Sequence, residues 1–233
     1  MDSYEHVVKT LQSKENKEKK EILQRFFKTG EGEYGYGDIF LGITVPETRA
    51  VAKSYQHIPL NEVLLLLKRK EHECRLCALE ILIFKQKKAS EAVLKELFES
   101  YLQHLDYVNN WDLVDLSAPK IMGGYLKDKE RSILYELAIS PVLWERRVAV
   151  ITTLAFVRNG DLTDAFALCD LLLEDKEDLM RKAVGWVLRE TGKKDKEQLE
   201  NFLKKNIRRI SRTSLRYAIE RFGKEEKSYY MHL

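Results

Sequence analysis

Five segments of this chain repeat one pattern at nearly constant spacing: HECRLCALEIL, NNWDLVDLSAP, WERRVAVITTL, LMRKAVGWVLR and ISRTSLRYAIE. Aligned on a polar position they place Arg75, Trp111, Arg147, Lys182 and Arg216 at intervals of 36, 36, 35 and 34 residues. Within and between these segments, apolar residues recur three and four apart, as in LNEVLLLLKRK, EAVLKELFESYL and AFALCDLLL. That spacing is helical, and sustained strand alternation is absent. Short polar turns such as QKKAS, RNGDLTD and TGKKDKE separate about a dozen expected helices. Thr163 and Asp164 open one of them after an Asn159-Gly160 stop.

A helix pair repeated at this length cannot bury its apolar face alone and must stack on its neighbours. The expected fold is therefore all-α, a HEAT-like α-solenoid of antiparallel helix pairs, as a single domain over residues 1–233. If the second helix of each pair lines a concave surface, the five aligned residues form one polar row across it.

Composition narrows the function classes. No apolar run approaches the roughly 20 residues of a membrane span. The N-terminal stretch MDSYEHVVKTLQSKENKEKKE is polar and charged, unlike a signal peptide. Cys74, Cys77 and Cys169 sit within helical apolar patterns and read as reduced core thiols. The expectation is a cytoplasmic monomer with no membrane association. His6, His57, His72, His104 and His232 are scattered, so neither a metal nor a cofactor is expected.

Net charge is only +3, but its distribution is uneven. Residues 181–216 hold 12 Lys and Arg against 4 Asp and Glu. Such a basic region fits an anionic partner, with Arg181, Lys182, Arg189, Arg212 and Arg216 as candidate phosphate contacts. The G-x-G-x-x-G at Gly30–Gly35 is not a dinucleotide fingerprint, because a helical segment and no strand precedes it. It reads as a loop ordered by tyrosines that leads to Pro46 as the first residue of a helix.

Trp111 and Asp115 share a helix face one turn apart, and repeat spacing brings Arg147 and Trp186 toward them. Basic side chains suit a phosphate backbone, and tryptophan faces attract cations. A carboxylate stabilises positive charge that develops in a transition state. An alkylated purine is cationic and a good leaving group, and its departure leaves an oxocarbenium-like sugar, as in glycoside hydrolysis.

The sequence resembles the AlkD-like DNA alkylation repair family, bacterial DNA glycosylases of HEAT-like repeats, over nearly its whole length. RFFKTGEGEYGYGDIFLGITVPETR resembles that family's N-terminal segment, NNWDLVD its catalytic segment, and SRTSLRYAIERF its C-terminal helix. WERRVAV carries the family's arginine and KAVGWVLRE its second tryptophan. The resemblance implies Asp115 as catalytic carboxylate, Trp111 and Trp186 as an aromatic cradle, and Arg147 as a brace for Asp115 and the DNA backbone. It also implies duplex DNA bearing 3-methyladenine or 7-methylguanine as substrate, acted on at the nucleoid. Two other readings carry the same repeats: a non-catalytic binder of damaged duplex, and a protein-interaction scaffold with a mixed or apolar groove.

Overall fold

The computed structural model describes residues 2–233. Fifteen α-helices are present among them, and the only β element among the described residues is an isolated bridge between Ile39 and Glu71. The all-α expectation holds. No helix among the described residues is long and apolar enough to cross a membrane. The backbone groups into two compact units, Met1–Leu113 and Val114–Leu233.

The first unit contains α1 (Tyr4–Gln12), α2 (Lys17–Phe26), α3 (Val45–Ser54), α4 (Leu60–Leu67), α5 (His72–Lys85) and α6 (Glu91–Gln103), and ends in the first turn of α7 (Trp111–Leu126). Its centre is α5, against which α3 and α4 pack. Every residue of α5 from His72 to Leu82 is buried, including His72, Glu73, Arg75 and Glu80. Buried charges persist only when partnered, and these are. Glu80 takes a bond from Arg49 Nε at 2.7 Å. Glu73 accepts the backbone N–H groups of Leu41, Gly42 and Ile43 at 2.8, 2.8 and 3.1 Å. That cradle needs Gly42, whose φ is +82° and whose missing Cβ would lie 2.2 Å from the Asn16 carbonyl oxygen.

The glycine-rich stretch is a loop, as expected. Of its tyrosines, Tyr34 bonds the Phe26 carbonyl at 3.4 Å, while Tyr36 is exposed. Helix α3 starts at Val45, so Pro46 is its second residue rather than its first, a position where the missing N–H still costs nothing.

The second unit holds the remainder of α7, then α8 (Ser132–Ala138), α9 (Leu143–Thr152), α10 (Leu154–Arg158), α11 (Thr163–Leu171), α12 (Asp178–Lys194), α13 (Lys196–Asn206), α14 (Arg212–Ala218) and α15 (Lys224–His232). The apolar run RRVAVITTLAFV reads as one helix but forms two. Thr152 and Thr153 turn their hydroxyls back onto the carbonyls of Val148 and Val150, at 2.7 and 2.6 Å, and the helix breaks there. Gly160, with φ +86°, stops α10, and α11 begins at Thr163. All three cysteines are buried, and burial pushes each thiol upward, that of Cys74 to about 12.

Helix α12 organises this unit, packing on α9, α11, α13 and α14. It meets α14 most closely at Gly185, where an added Cβ would lie 2.5 Å from Tyr217 Cβ and 2.6 Å from the Ser214 carbonyl oxygen. Ser214 Oγ also donates to the Arg181 carbonyl at 2.9 Å. Gly185→Ala therefore forces α12 and α14 apart, and is expected to cost about 1–3 kcal/mol in denaturant unfolding, as overpacking typically does. Unchanged stability would show that this approach is looser than the backbone geometry states.

Candidate active site

Helix register decides which residues face together. Arg75, Arg146 and Arg181 are each the fourth residue of their helix. Each reaches back to the loop that feeds its helix. Arg75 bonds the carbonyls of Arg69 and Lys70 at 3.2 and 2.8 Å. Arg146 bonds those of Ser140 and Pro141 at 3.0 and 3.1 Å, and Arg181 bonds that of Asp175 at 3.0 Å.

The fifth residue plays a different part. Asp115, Arg147, Lys182 and Arg216 occupy that position in α7, α9, α12 and α14. The expected polar row is thus corrected. Arg75 belongs to the loop-clamping class and Trp111 is the first residue of α7. Matching residues by charge type had shifted α5 by one place, about 100° around a helix.

The row's central feature is an ion pair. Arg147 Nε and Nη2 donate to Asp115 Oδ1 and Oδ2 at 2.9 and 2.8 Å, a two-pronged fork. Arg147 Nη1 donates to the Leu179 carbonyl at 2.6 Å, which fixes the guanidinium from behind. The arginine side chain is 6% exposed and the aspartate 17%, so the carboxylate is the more accessible end.

The other expected residues divide. Trp186 lies half-buried on α12. Lys182 pairs with Asp178 at 2.7 Å on the helix surface, and Arg216 is exposed. Arg181 serves the Asp175 loop, Arg189 pairs with Glu190 and Glu220, and Arg212 donates to the Met231 carbonyl. Lys182 and Arg216 therefore share a register with Asp115 and Arg147, while Arg181 and Arg189 are drawn into intramolecular bonds.

In the first unit, Trp111 begins α7 within a cluster absent from the sequence reading. His72 bonds Asp38 through Nδ1 at 3.0 Å and Asp112 through Nε2 at 2.8 Å. Asp38 also accepts from Arg75 Nη2 and, at 3.0 Å, from Asn110 Nδ2. Asn110 Oδ1 in turn accepts the backbone N–H of Trp111 at 2.9 Å. Burial works to lower the His72 pKa, but the charges and hydrogen bonds of Asp112 and Asp38 raise it to about 9. Burial works to raise that of Asp38, and His72, Arg75 and Asn110 bring it down to about 2. Both ring nitrogens of His72 thus carry protons at neutral pH. No spacing rule links Asp38, His72 and Asp112, so the cluster left no mark in the sequence.

The family model for DNA alkylation repair enzymes matches residues 7–222, and the chain belongs to that family. Among solved structures it is similar to a predicted DNA alkylation repair enzyme from Enterococcus faecalis, at 19% identity and a TM-score of 0.69, covering 90% of this chain and 97% of that one. It is also similar to smu.31 from Streptococcus mutans UA159, at 19% identity and a TM-score of 0.54, covering 92% of this chain and 96% of that one. At these identities the likeness establishes the fold. No curated protein matches the chain.

The His72 cluster sets a pH dependence of stability. A raised histidine pKa stabilises fully below the unfolded value of 6.5, and the contribution is lost as pH climbs through about 9. The lowered carboxyl of Asp38 acts oppositely, contributing above 3.8 and losing its effect as pH falls through about 2. Unfolding free energy should therefore decline between pH 6.5 and 9, and His72→Gln should flatten that decline. Equilibrium urea titrations at pH 6, 7.5 and 9 read this directly; equal slopes for both proteins would mean that His72 is uncharged in the native state.

Proposed function

We propose that this protein is a DNA glycosylase that hydrolyses the N-glycosidic bond of purines made cationic by alkylation, of the 3-methyladenine and 7-methylguanine class, in duplex DNA. Membership of the family supports a role in DNA alkylation repair. The observation that carries the finer reading is the Asp115–Arg147 fork, with its carboxylate end the more accessible.

In this reading Asp115 stands beside the sugar of the damaged nucleotide. The C1′–N bond breaks and its electron pair goes to the departing base, cancelling the base's positive charge. The sugar becomes oxocarbenium-like, and the carboxylate stabilises it electrostatically. A water adds to C1′ and releases its proton to solvent, leaving an abasic site that begins base excision repair. Trp111 and Trp186 offer aromatic faces to the cationic base. Arg147 holds the carboxylate plane through two bonds, which removes the cost of orienting it during reaction. Lys182 and Arg216 take the phosphate backbone, and Arg181, Arg189 and Arg212 contribute less because their guanidinium groups are otherwise engaged.

Asp115→Asn keeps the shape and removes the charge. Single-turnover release of 7-methylguanine should slow on the order of 10²-fold or more, the loss that accompanies removal of one strong electrostatic group. DNA affinity on the same preparation should hold or rise, because a repulsive charge has gone. Near-normal release by this variant would leave the pair as a structural salt bridge, and no release by the unmodified protein would leave a non-catalytic DNA binder.

Phosphate contacts are tested by salt. Affinity for duplex DNA should fall steeply as salt rises, and Lys182→Ala or Arg216→Ala should weaken binding to all sequences alike, each reducing the log–log slope by about 1. Salt-independent affinity would remove the DNA-binding reading in favour of a protein-interaction scaffold.

A further inference from the structure

We propose that His72, gripped by Asp38 and Asp112, is a positioning residue that fixes the indole of Trp111 through a cluster of four aromatic rings; its use in base excision rests on the glycosylase reading above. The contacts are continuous, and His72 also meets Phe27 directly, with centroids 5.2 Å apart and planes inclined 40°. His72 lies on Phe40 with centroids 4.3 Å apart and planes inclined 22°, Phe40 on Phe27 at 4.8 Å and 22°, and Phe27 on Trp111 at 5.2 Å and 17°. Phe26 closes on Trp111 edge-on, at 6.0 Å and 70°.

The His72 corner of this cluster is rigid for a chemical reason. Hydrogen bonds at opposite corners of the imidazole, to Asp38 and to Asp112, forbid both tilting and flipping of the ring. Phe27, packed against His72, Phe40 and Trp111 at once, is confined by that ring and passes the restraint to the indole. Trp111 is held from its backbone as well, because Asn110 links its N–H to the same Asp38 oxygen that accepts from His72. Side chain and main chain of Trp111 thus converge on one carboxylate. A neutral apolar residue at position 72 would fill the space without locking a plane, so the buried imidazolium is an expensive choice for packing alone.

The groups that bond His72 are Asp38 from the loop before α3 and Asp112 from α7, and Arg75 from its own helix pairs with that Asp38. Glu73 and Lys19 share with His72 the rim of a cavity of about 280 Å³, lined otherwise mainly by apolar residues. The two aspartates keep the ring doubly protonated to about pH 9. Above that pH the ring has one N–H for two carboxylates, and the grip is lost.

Two readouts test this separately. In a Trp144→Phe, Trp186→Phe background, used only for fluorescence, Trp111 is the sole tryptophan. Its acrylamide quenching should rise as pH passes about 9, and should already be high and pH-independent when His72→Gln is added. The unmodified protein should release 7-methylguanine in single turnover, and His72→Gln alone should slow that step on the order of tenfold with DNA affinity unchanged. Asp112→Asn, which retains an acceptor oxygen for Nε2–H, should keep most of the rate, whereas Asp112→Leu should not. Quenching that ignores both pH and His72 overturns the positioning claim, and does so in the parent background even if the variants fail to fold. Altered quenching with an unaltered rate in an active enzyme overturns its catalytic use. If the unmodified protein releases no base, the glycosylase reading falls, and the positioning claim stands or falls on quenching alone.

Discussion

Every helix in a repeat begins with backbone donors that lack partners and follows a loop whose carbonyls also need them. The arginine at the fourth helical position answers the second need. Arg75, Arg146 and Arg181 each fold back onto carbonyls five or six residues earlier and tie the loop to the helix it feeds. Arg146 also bonds Asp175 Oδ2 at 2.7 Å, in the loop that Arg181 clamps through its carbonyl, so neighbouring repeats are stitched in series. The fifth position is rotated about 100° away from the fourth and lies outside that loop clamp. Asp115, Arg147, Lys182 and Arg216 stand there.

Much of this was legible in the sequence, and the parts that were not share a cause. Three- and four-residue apolar spacing reports which side of a helix is buried, so the all-α class follows from it directly. Spacing between repeats brought Asp115 and Arg147 together, because equal spacing along a stack means adjacency. Charge type carries no angular information. Arg75 and Arg147 look alike in a string, yet one clamps its own loop and pairs with Asp38, and the other forks onto Asp115. The break between α9 and α10 was hidden for a similar reason, since Thr152 and Thr153 act through hydroxyl bonds to their own helix that an apolar pattern does not record.

The Asp38–His72–Asp112 cluster was beyond reach because it is assembled by a loop. Asp38 follows the glycine-rich segment, and what holds it is a set of donors 34, 37 and 72 residues away. No periodicity predicts such partners. Its physical logic is nevertheless strict. Buried Asp38, His72 and Arg75 meet the half-buried Asp112 with every pairing short, so the cluster is close to neutral, and loss of a buried member leaves an uncompensated charge.

The Asp115–Arg147 pair invites the same structural explanation, and its orientation argues against stopping there. A protein that only gripped phosphates would place the guanidinium outermost and the carboxylate behind it. Here the order is reversed. Arg147 is anchored on the Leu179 carbonyl and nearly buried, and Asp115 is the more accessible of the two. That arrangement places negative charge forward, in a register otherwise filled by Lys182 and Arg216, where it opposes the approach of a polyanion. Replacing a buried ion pair whole with apolar residues is often neutral or stabilising, so stability alone does not select for such a pair. In the glycosylase reading proposed above, a carboxylate in that place gains its purpose from the positive charge that appears beside it on a sugar losing a cationic base.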